Sequence, residues 1–371
     1  MKRLVLLGGG HAHVKVLADL AEQPLAGWDV HLISPYRRQI YSGMLPGWVA
    51  GHYPIEACAI RLDDLAGRAG VAFHETAGLG LDLDSATLQC ADGSSLRYDA
   101  LSIDTGPVPA LHDLPGSTEH ALPIRPIEQF IAAWPAVLDR ILGQCRRFDL
   151  MILGAGAAGI ELAFAIQRRA VTEGWSHLFI TVMGSDDLPL PGAPSATRRH
   201  SARLLAQRGI AWKGRSRATR LASNLVHVED GPSVHFDACV VSTGASAPAW
   251  PSACGLATDE RGFIRVNRSL QSVSNPNVFA AGDVAAYADA RPKSGVFAVR
   301  AGPVLAKNLR AFCEGRALES WTPQSRALYL ISTGDRHALA TWGRWSWSGQ
   351  WVWRWKDHID RQFMRRFGTV V

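Results

Sequence analysis

The chain has 371 residues, 47% hydrophobic and 19% charged, with a net charge of +6. That length allows two or three domains with cores of their own, and the apolar content excludes a disordered chain. The positive balance suits anionic partners such as a nucleotide or an acidic membrane surface. No zinc-finger spacing or recognition-helix pattern is present, so no nucleic acid is expected.

The opening "RLVLLG" reads as a buried strand, and "HAHVKVLADLAEQ" as a helix with Val14, Leu17, Leu20 and Ala21 on one face. "WDVHLISP" is a second strand, stopped by Pro35. Between strand and helix stand Gly8 and Gly10, followed by His13 where G-x-G-x-x-G expects a third glycine. Short strands broken by Gly and Asp-Gly turns follow over residues 69–106. A helix is expected near 126–143.

The opening pattern then returns as "FDLMILGAGAAGIELAFAIQRRA", where Gly154, Gly156 and Gly159 complete the motif ahead of another strand, "HLFITVMG". Each glycine turn permits a close backbone approach to phosphate, and the helix start adds unpaired N–H groups and a positive dipole. Two such turns predict two dinucleotides, a combination suited to a flavin that receives hydride from a nicotinamide. "LSIDTG" and "VVSTGA" are strands ending in Thr-Gly (Thr105-Gly106 in the first), and "NVFAAGDVAAY" ends a third strand at Gly282-Asp283.

At these residues the chain resembles the two-dinucleotide-binding flavoproteins, the pyridine nucleotide-disulfide oxidoreductase family, over about residues 1–318. The resemblance implies an α/β fold with two Rossmann-like domains, and the Trp-rich residues beyond it are expected to form a small C-terminal subdomain. Residues 1–108 and 246–318 would bind FAD, 109–245 would bind NADH or NADPH, and 319–371 would form the subdomain. Gly8, Gly10, His11, Thr105, Gly106, Gly282 and Asp283 would serve FAD, with Asp283 at the ribityl chain. Gly154, Gly156 and Gly159 would serve the nicotinamide nucleotide. Glu161 would face the gap between the two cofactors and is the candidate catalytic residue.

Three departures shape the chemistry. His13 replaces the third glycine, and a packed or capping ring is expected there. His11, at the helix start, is expected to stay neutral and donate to a pyrophosphate oxygen. Ser34 stands where an acid would hold the FAD ribose, followed by Arg37 and Arg38, which would meet adenine or phosphate. The second unit also lacks that acid, and Arg198 and Arg199 are candidates for a 2′-phosphate.

The six cysteines, at 58, 90, 145, 239, 254 and 313, have no C-x-x-C or C-x4-C spacing, and "RRQIYSGMLPGWVAGHY" (37–53), which would lie beside the flavin, has none. Scattered thiols in a reducing cytoplasm, no metal site and no dithiol relay are expected. Type II NADH dehydrogenases, also flavin-only, are a more distant likeness. Where glutamines line their quinone site, this chain has Val296, Arg300 and Ala301. A nearer likeness is the flavoprotein module fused ahead of selenophosphate synthetase, carried by "GGGHAHVKVL", "YSGMLPGWVAGHY" and "WVWRWKDHIDRQFMRRF".

Seven of the thirteen tryptophans fall between 321 and 355. "GRWSWSGQWVWRW" alternates as a strand does, and "KDHIDRQFMRRF" reads as a short amphipathic helix with Ile359, Phe363 and Phe367 on one side. Residues 344–371 would pack over the flavin, lie on a membrane surface or bind a protein. No run of about 18 apolar residues predicts a membrane span, and no signal peptide is expected. The expectation is therefore a cytoplasmic FAD-dependent NAD(P)H oxidoreductase with a small, unidentified acceptor, either free in the cytoplasm or peripheral on the inner face of the membrane. The alternatives are a membrane type II NADH:quinone reductase and a slow redox-sensing flavoprotein.

Overall fold

The computed structural model describes residues 1–368. Two parallel five-stranded sheets organise it. In the first, Lys2–Leu7 lies between Trp28–Ser34 and Ala100–Ile103, with Ala72–Glu75 and Val278–Ala280 at the edges. In the second, Phe148–Leu153 lies between Leu178–Met183 and Ala238–Val241, flanked by Ala211–Lys213 and Leu122–Pro123. Helices His11–Glu22 and Ala157–Glu173 make the crossover from the central strand of each sheet to the neighbour that follows it in the chain. The central strands are covered on both faces, which is why "LVLL" and "LMIL" are unbroken apolar runs.

The chain leaves the first sheet after Ala100–Ile103, builds the second, and returns to add Val278–Ala280. A short antiparallel ribbon, Val108–Pro109 with Ala245–Ser246, marks both passages. One apolar core surrounds the first sheet and the helices His11–Glu22 and Gly295–Cys313. A second lies at the second sheet, yet takes in Ile40, Met44, Leu45 and Val49 from the first half. The short helix Leu45–Val49 thus packs on Ala157–Glu173, so the two halves share apolar core rather than a polar, mobile interface.

Beyond Gly295–Cys313 the chain forms an antiparallel sheet, Leu328–Ser332, Ala338–Trp342 and Trp345–Gly349, then the helix Gln350–Phe367. Here the alternation of tryptophans misleads. Only "WSWSG" is strand, and "QWVWRW" already belongs to the helix. Helical geometry stacks Trp351 on Trp355, centroids 6.4 Å apart, on the exposed side and buries Val352, Lys356, Asp360 and Phe367. The buried face carries a charged pair, so no clean apolar stripe announces the helix start. The last three residues of the expected 319–371 and 344–371 segments lie outside the described residues. Among the described residues, no helix is long and apolar enough to cross a membrane.

Candidate active site

At the first glycine turn, Gly8 has φ +96°, and a Cβ there would stand 2.5 Å from the Asp104 carbonyl oxygen. The fully buried His13 turns its ring toward the sheet. Its Nδ1 lies 2.6 Å from the Gly8 carbonyl oxygen and its Nε2 lies 2.8 Å from Ser102 Oγ. A carbonyl needs a donor, so the proton sits on Nδ1, and Nε2 accepts the Ser102 hydroxyl. Burial lowers the pKa to about 4, and the ring is neutral.

The start of this helix is capped from across the sheet. Asp104 Oδ2 accepts the N–H groups of Ala12 at 2.8 Å and His13 at 3.0 Å. Gly10 and Gly282 leave room for that carboxylate, since a Cβ on either would stand 2.4 Å from Asp104 Oδ1. Burial raises the Asp104 pKa to about 7; the two N–H bonds oppose it and the charge of Asp283 adds to it. Sequence reasoning missed this residue. Its signal is the Asp in "LSIDTG" where the matching "VVSTGA" has Ser242.

A cleft of about 420 Å³ runs past Gly8, Gly10, His11, Ser34, Thr105, Gly106 and Asp283. Gly282 sits behind it and donates its N–H to the Tyr287 hydroxyl. His11 is held neutral by burial, and then by the charge of Arg125, with a pKa near 4. Gln39 Nε2 donates to its Nδ1 at 3.0 Å, which leaves the Nε2 proton free to donate. Ser34 closes its own turn, its hydroxyl donating to the Tyr36 carbonyl at 3.0 Å, rather than standing open to a ribose. Arg37 does not reach the cleft: it is exposed and paired with Glu75 at 2.7 Å. Arg38 lines the cleft instead, gripped by Glu128 at 2.9 and 3.1 Å. Successive side chains along an extended segment point to opposite faces, so only one of the two arginines can turn inward.

These residues fit FAD. The glycine turn allows close backbone approach, and Asp283, ion-paired with Arg125 at 3.2 Å, lines the same cleft. Gln39 Oε1 and Ser294 Oγ are buried without partners, Gln39 in the cleft wall and Ser294 just before the helix Gly295–Cys313.

The second cleft, about 750 Å³, is lined by Gly154, Ala155, Gly156, Gly184, Ser242 and Thr243 among others. Gly159 packs behind, where a Cβ would stand 2.0 Å from the Gly154 carbonyl oxygen. A Cβ on Gly156 would meet nothing within 4 Å, which leaves open the space a diphosphate would take.

Glu161, two residues beyond Gly159, faces a third cavity of about 750 Å³. Its Oε1 accepts the Ser332 N–H at 2.7 Å. Lys356 and Asp360 of the last helix share the cavity, joined at 2.7 Å, and Lys356 Nζ donates to the Gly43 carbonyl at 2.5 Å. Burial raises the Glu161 pKa to about 7, against the pull of Lys356 and the Ser332 N–H. Burial works to neutralise Lys356, but Asp360 and Glu161 outweigh it and hold its pKa above the usual lysine value. Trp342, Trp347 and Trp355 stand among the cavity walls.

Residues 2–302 match the model of the pyridine nucleotide-disulphide oxidoreductase family. The chain belongs to that family. It is accordingly an oxidoreductase with FAD as cofactor and NAD(P)H as donor. It is similar to a NADH dehydrogenase-like protein of Bacillus subtilis, 22% identical over 91% of each chain. It is also similar to the demethylphylloquinone reductase of Synechocystis, 23% identical over 78% of this chain and 73% of the relative. Among solved structures, the sulfide:quinone oxidoreductase of Aquifex aeolicus superposes with a TM-score of 0.83 at 18% identity, covering 99% of this chain and 91% of the other.

Within this oxidoreductase, the stretches 8–17, 41–53 and 351–367 meet at one point. The rings of Tyr41 and Phe363 stack at 4.5 Å, and His11 approaches them at 5.6 and 5.9 Å. Tyr53 also donates to Asp357. All six cysteines are free. Cys58, just after the 37–53 stretch, has its thiol pushed up to about 12 by burial, so it is not a ready thiolate.

Proposed function

We propose that this oxidoreductase passes hydride from NAD(P)H to its flavin and electrons onward to a small planar conjugated-ring acceptor, with no disulfide relay. Bound FAD supplies hydride acceptance and electron return. The protein's part is positioning. The first cleft holds the flavin nucleotide through Gly8, Gly10, His11, Thr105, Gly106 and Asp283, and the second holds the donor through Gly154 and Gly156, with Gly159 keeping its turn tight. The third cavity is the observation that carries the acceptor reading. It joins Glu161, Lys356 and Asp360 to aromatic walls, so a flat ring can stack while a proton source with a pKa near 7 stands beside it.

The test is anaerobic bleaching of the flavin band by NADPH and NADH, followed by turnover with soluble quinones. Bleaching with quinone-dependent turnover that falls in Trp347→Ala supports the reading. A yellow protein that neither donor bleaches would sink it, and slow bleaching without turnover would favour a redox sensor.

A membrane-associated quinone reductase, of the type II NADH dehydrogenase kind, is the second reading. Trp342, Trp345, Trp347, Trp351 and Trp355 are 37–66% exposed, and the exposed Arg344 and Arg354 lie among them in the chain. Large amphipathic rings beside guanidinium groups suit an anionic lipid surface. Co-sedimentation with anionic but not neutral vesicles, lost when Trp345 and Trp351 become Ala, is the expected result. The kinship with the selenophosphate-synthetase-linked module belongs to this proposal as well, supported by the contact among its three motifs.

A further inference from the structure

The strand Leu178–Met183 ends in the second cleft at Gly184, where a fold of this kind presents a carboxylate to the two hydroxyls of an adenosine ribose. Gly184 leaves no room for one. A Cβ there would stand 2.9 Å from the Trp212 ring and 3.0 Å from Ala155 Cβ. Its backbone is pinned on both sides, the N–H to the Lys213 carbonyl and the carbonyl to the Ser216 N–H, each at 3.0 Å.

The next acid is already engaged. Asp186 Oδ1 accepts from Arg198 at 3.1 Å, and the same guanidinium reaches Asp187, the Leu188 carbonyl and the Pro189 carbonyl. Arg198, which the sequence offered for a 2′-phosphate, is therefore an internal staple that offsets the charge of Asp186. Arg199 is exposed and does not line the cleft.

At this end the cleft wall offers Ser185 and Arg217, both exposed, beside Asp186, whose charge Arg198 offsets. Arg217 takes part in no side-chain hydrogen bond or ion pair among the described residues. A guanidinium and a hydroxyl are donors. They suit a phosphate dianion, which a guanidinium engages through two parallel N–H bonds, better than a pair of ribose hydroxyls seeking an acceptor.

We propose that the donor is NADPH, with Arg217 and Ser185 binding the phosphate on the adenosine 2′-oxygen. The proposal rests on the reading of this cleft as the donor site.

Two measurements on the FAD-loaded protein test it. Calorimetric binding of 2′,5′-ADP and 5′-AMP reads the phosphate directly. Anaerobic stopped-flow reduction of the flavin by NADPH and NADH reads the preference. In the wild type 2′,5′-ADP should bind about tenfold or more tightly than 5′-AMP, and NADPH should be preferred by a similar factor. Arg217→Ala should bring both ratios close to one, and Ser185→Asp, which adds a negative charge, should reverse them. Equal binding of the two adenosine phosphates, a preference for NADH, or ratios unmoved by Arg217→Ala would overturn the proposal. If neither coenzyme reduces the flavin, the proposed hydride transfer fails, and the adenosine phosphates alone still decide the 2′-phosphate site.

Discussion

The two glycine turns have the same backbone path and opposite solutions to one packing problem. In the second, Gly159 lets helix and strand touch, and any side chain would collide with the Gly154 carbonyl. In the first, His13 fills that position and bonds the corresponding Gly8 carbonyl, while Ser102 receives the far side of the ring. The residue matching Ser102 is Val240, which has no hydroxyl to give. The helix starts differ too, because Asp104 caps the first and Ser242 stands in its place in the second. A departure from a motif is thus tolerated as a set of matched substitutions, and the set can be dismantled.

The largest expected effect comes from forcing the first solution on the second site. Gly159→His has no partner at Val240 and must displace backbone at a cost of about 3 kcal/mol. Flavin reduction by NAD(P)H should fall by about a hundredfold or more while FAD content persists. Near-normal reduction in stopped flow would mean that the second turn is not under this constraint.

Restoring the motif in the first site should also do harm. His13→Gly strands the Gly8 carbonyl and the Ser102 hydroxyl and adds a helical glycine, a combined loss of about 3 kcal/mol. A urea midpoint equal to or above that of the wild type would show His13 to be dispensable.

Asp104 predicts a pH dependence of intermediate size. Its folded pKa, about 7, lies above its unfolded value, so burial favours the neutral acid. The stability this gives is fully present below the unfolded pKa and is lost as pH rises through about 7. The apoprotein should therefore melt at a lower temperature at about pH 8 than at about pH 6, and FAD should bind several-fold more weakly there, because an ionised Asp104 would add negative charge to the wall of the cleft proposed for that anionic cofactor. In Asp104→Asn both trends should flatten. Equal slopes in the two proteins would assign the titration elsewhere.

The smallest effect separates neighbouring arginines. Arg37→Ala removes an exposed ion pair worth less than about 1 kcal/mol and should leave FAD retention on gel filtration unchanged. Arg38→Ala opens the cleft wall and frees Glu128, so it should release FAD more readily.

The α/β architecture was legible because buried parallel strands leave continuous apolar runs and each glycine turn sits between a strand and a helix. Gly8, Gly10, His11, Thr105, Gly106 and Asp283, named from the glycine turn, the Thr-Gly strand end and the family resemblance, stand together along one cleft. What stayed hidden was set by partners distant in the chain. Ser102 gives His13 its role across 89 residues, and Arg198 is disqualified by the acids it already holds. Asp104 was visible only by setting "LSIDTG" beside "VVSTGA". The start of the last helix was obscured by its tryptophans, whose spacing fits a strand until Lys356 and Asp360 prove to lie on its buried side, while 356–367 was read as helix from the sequence.

That helix and the hairpin before it touch both nucleotide-binding halves. Lys356 holds Gly43 and Tyr53 holds Asp357 on one side; Ser332 holds Glu161 and Asp335 holds Arg208 on the other. Mechanically this is a tie-rod across a joint. The element that walls the third cavity also bridges the halves that carry the other two clefts, so a load on the exposed tryptophan face is transmitted to both halves. On the proposed function, whatever settles on those tryptophans is expected to change the rate of flavin reduction by the donor as well as the rate of its reoxidation.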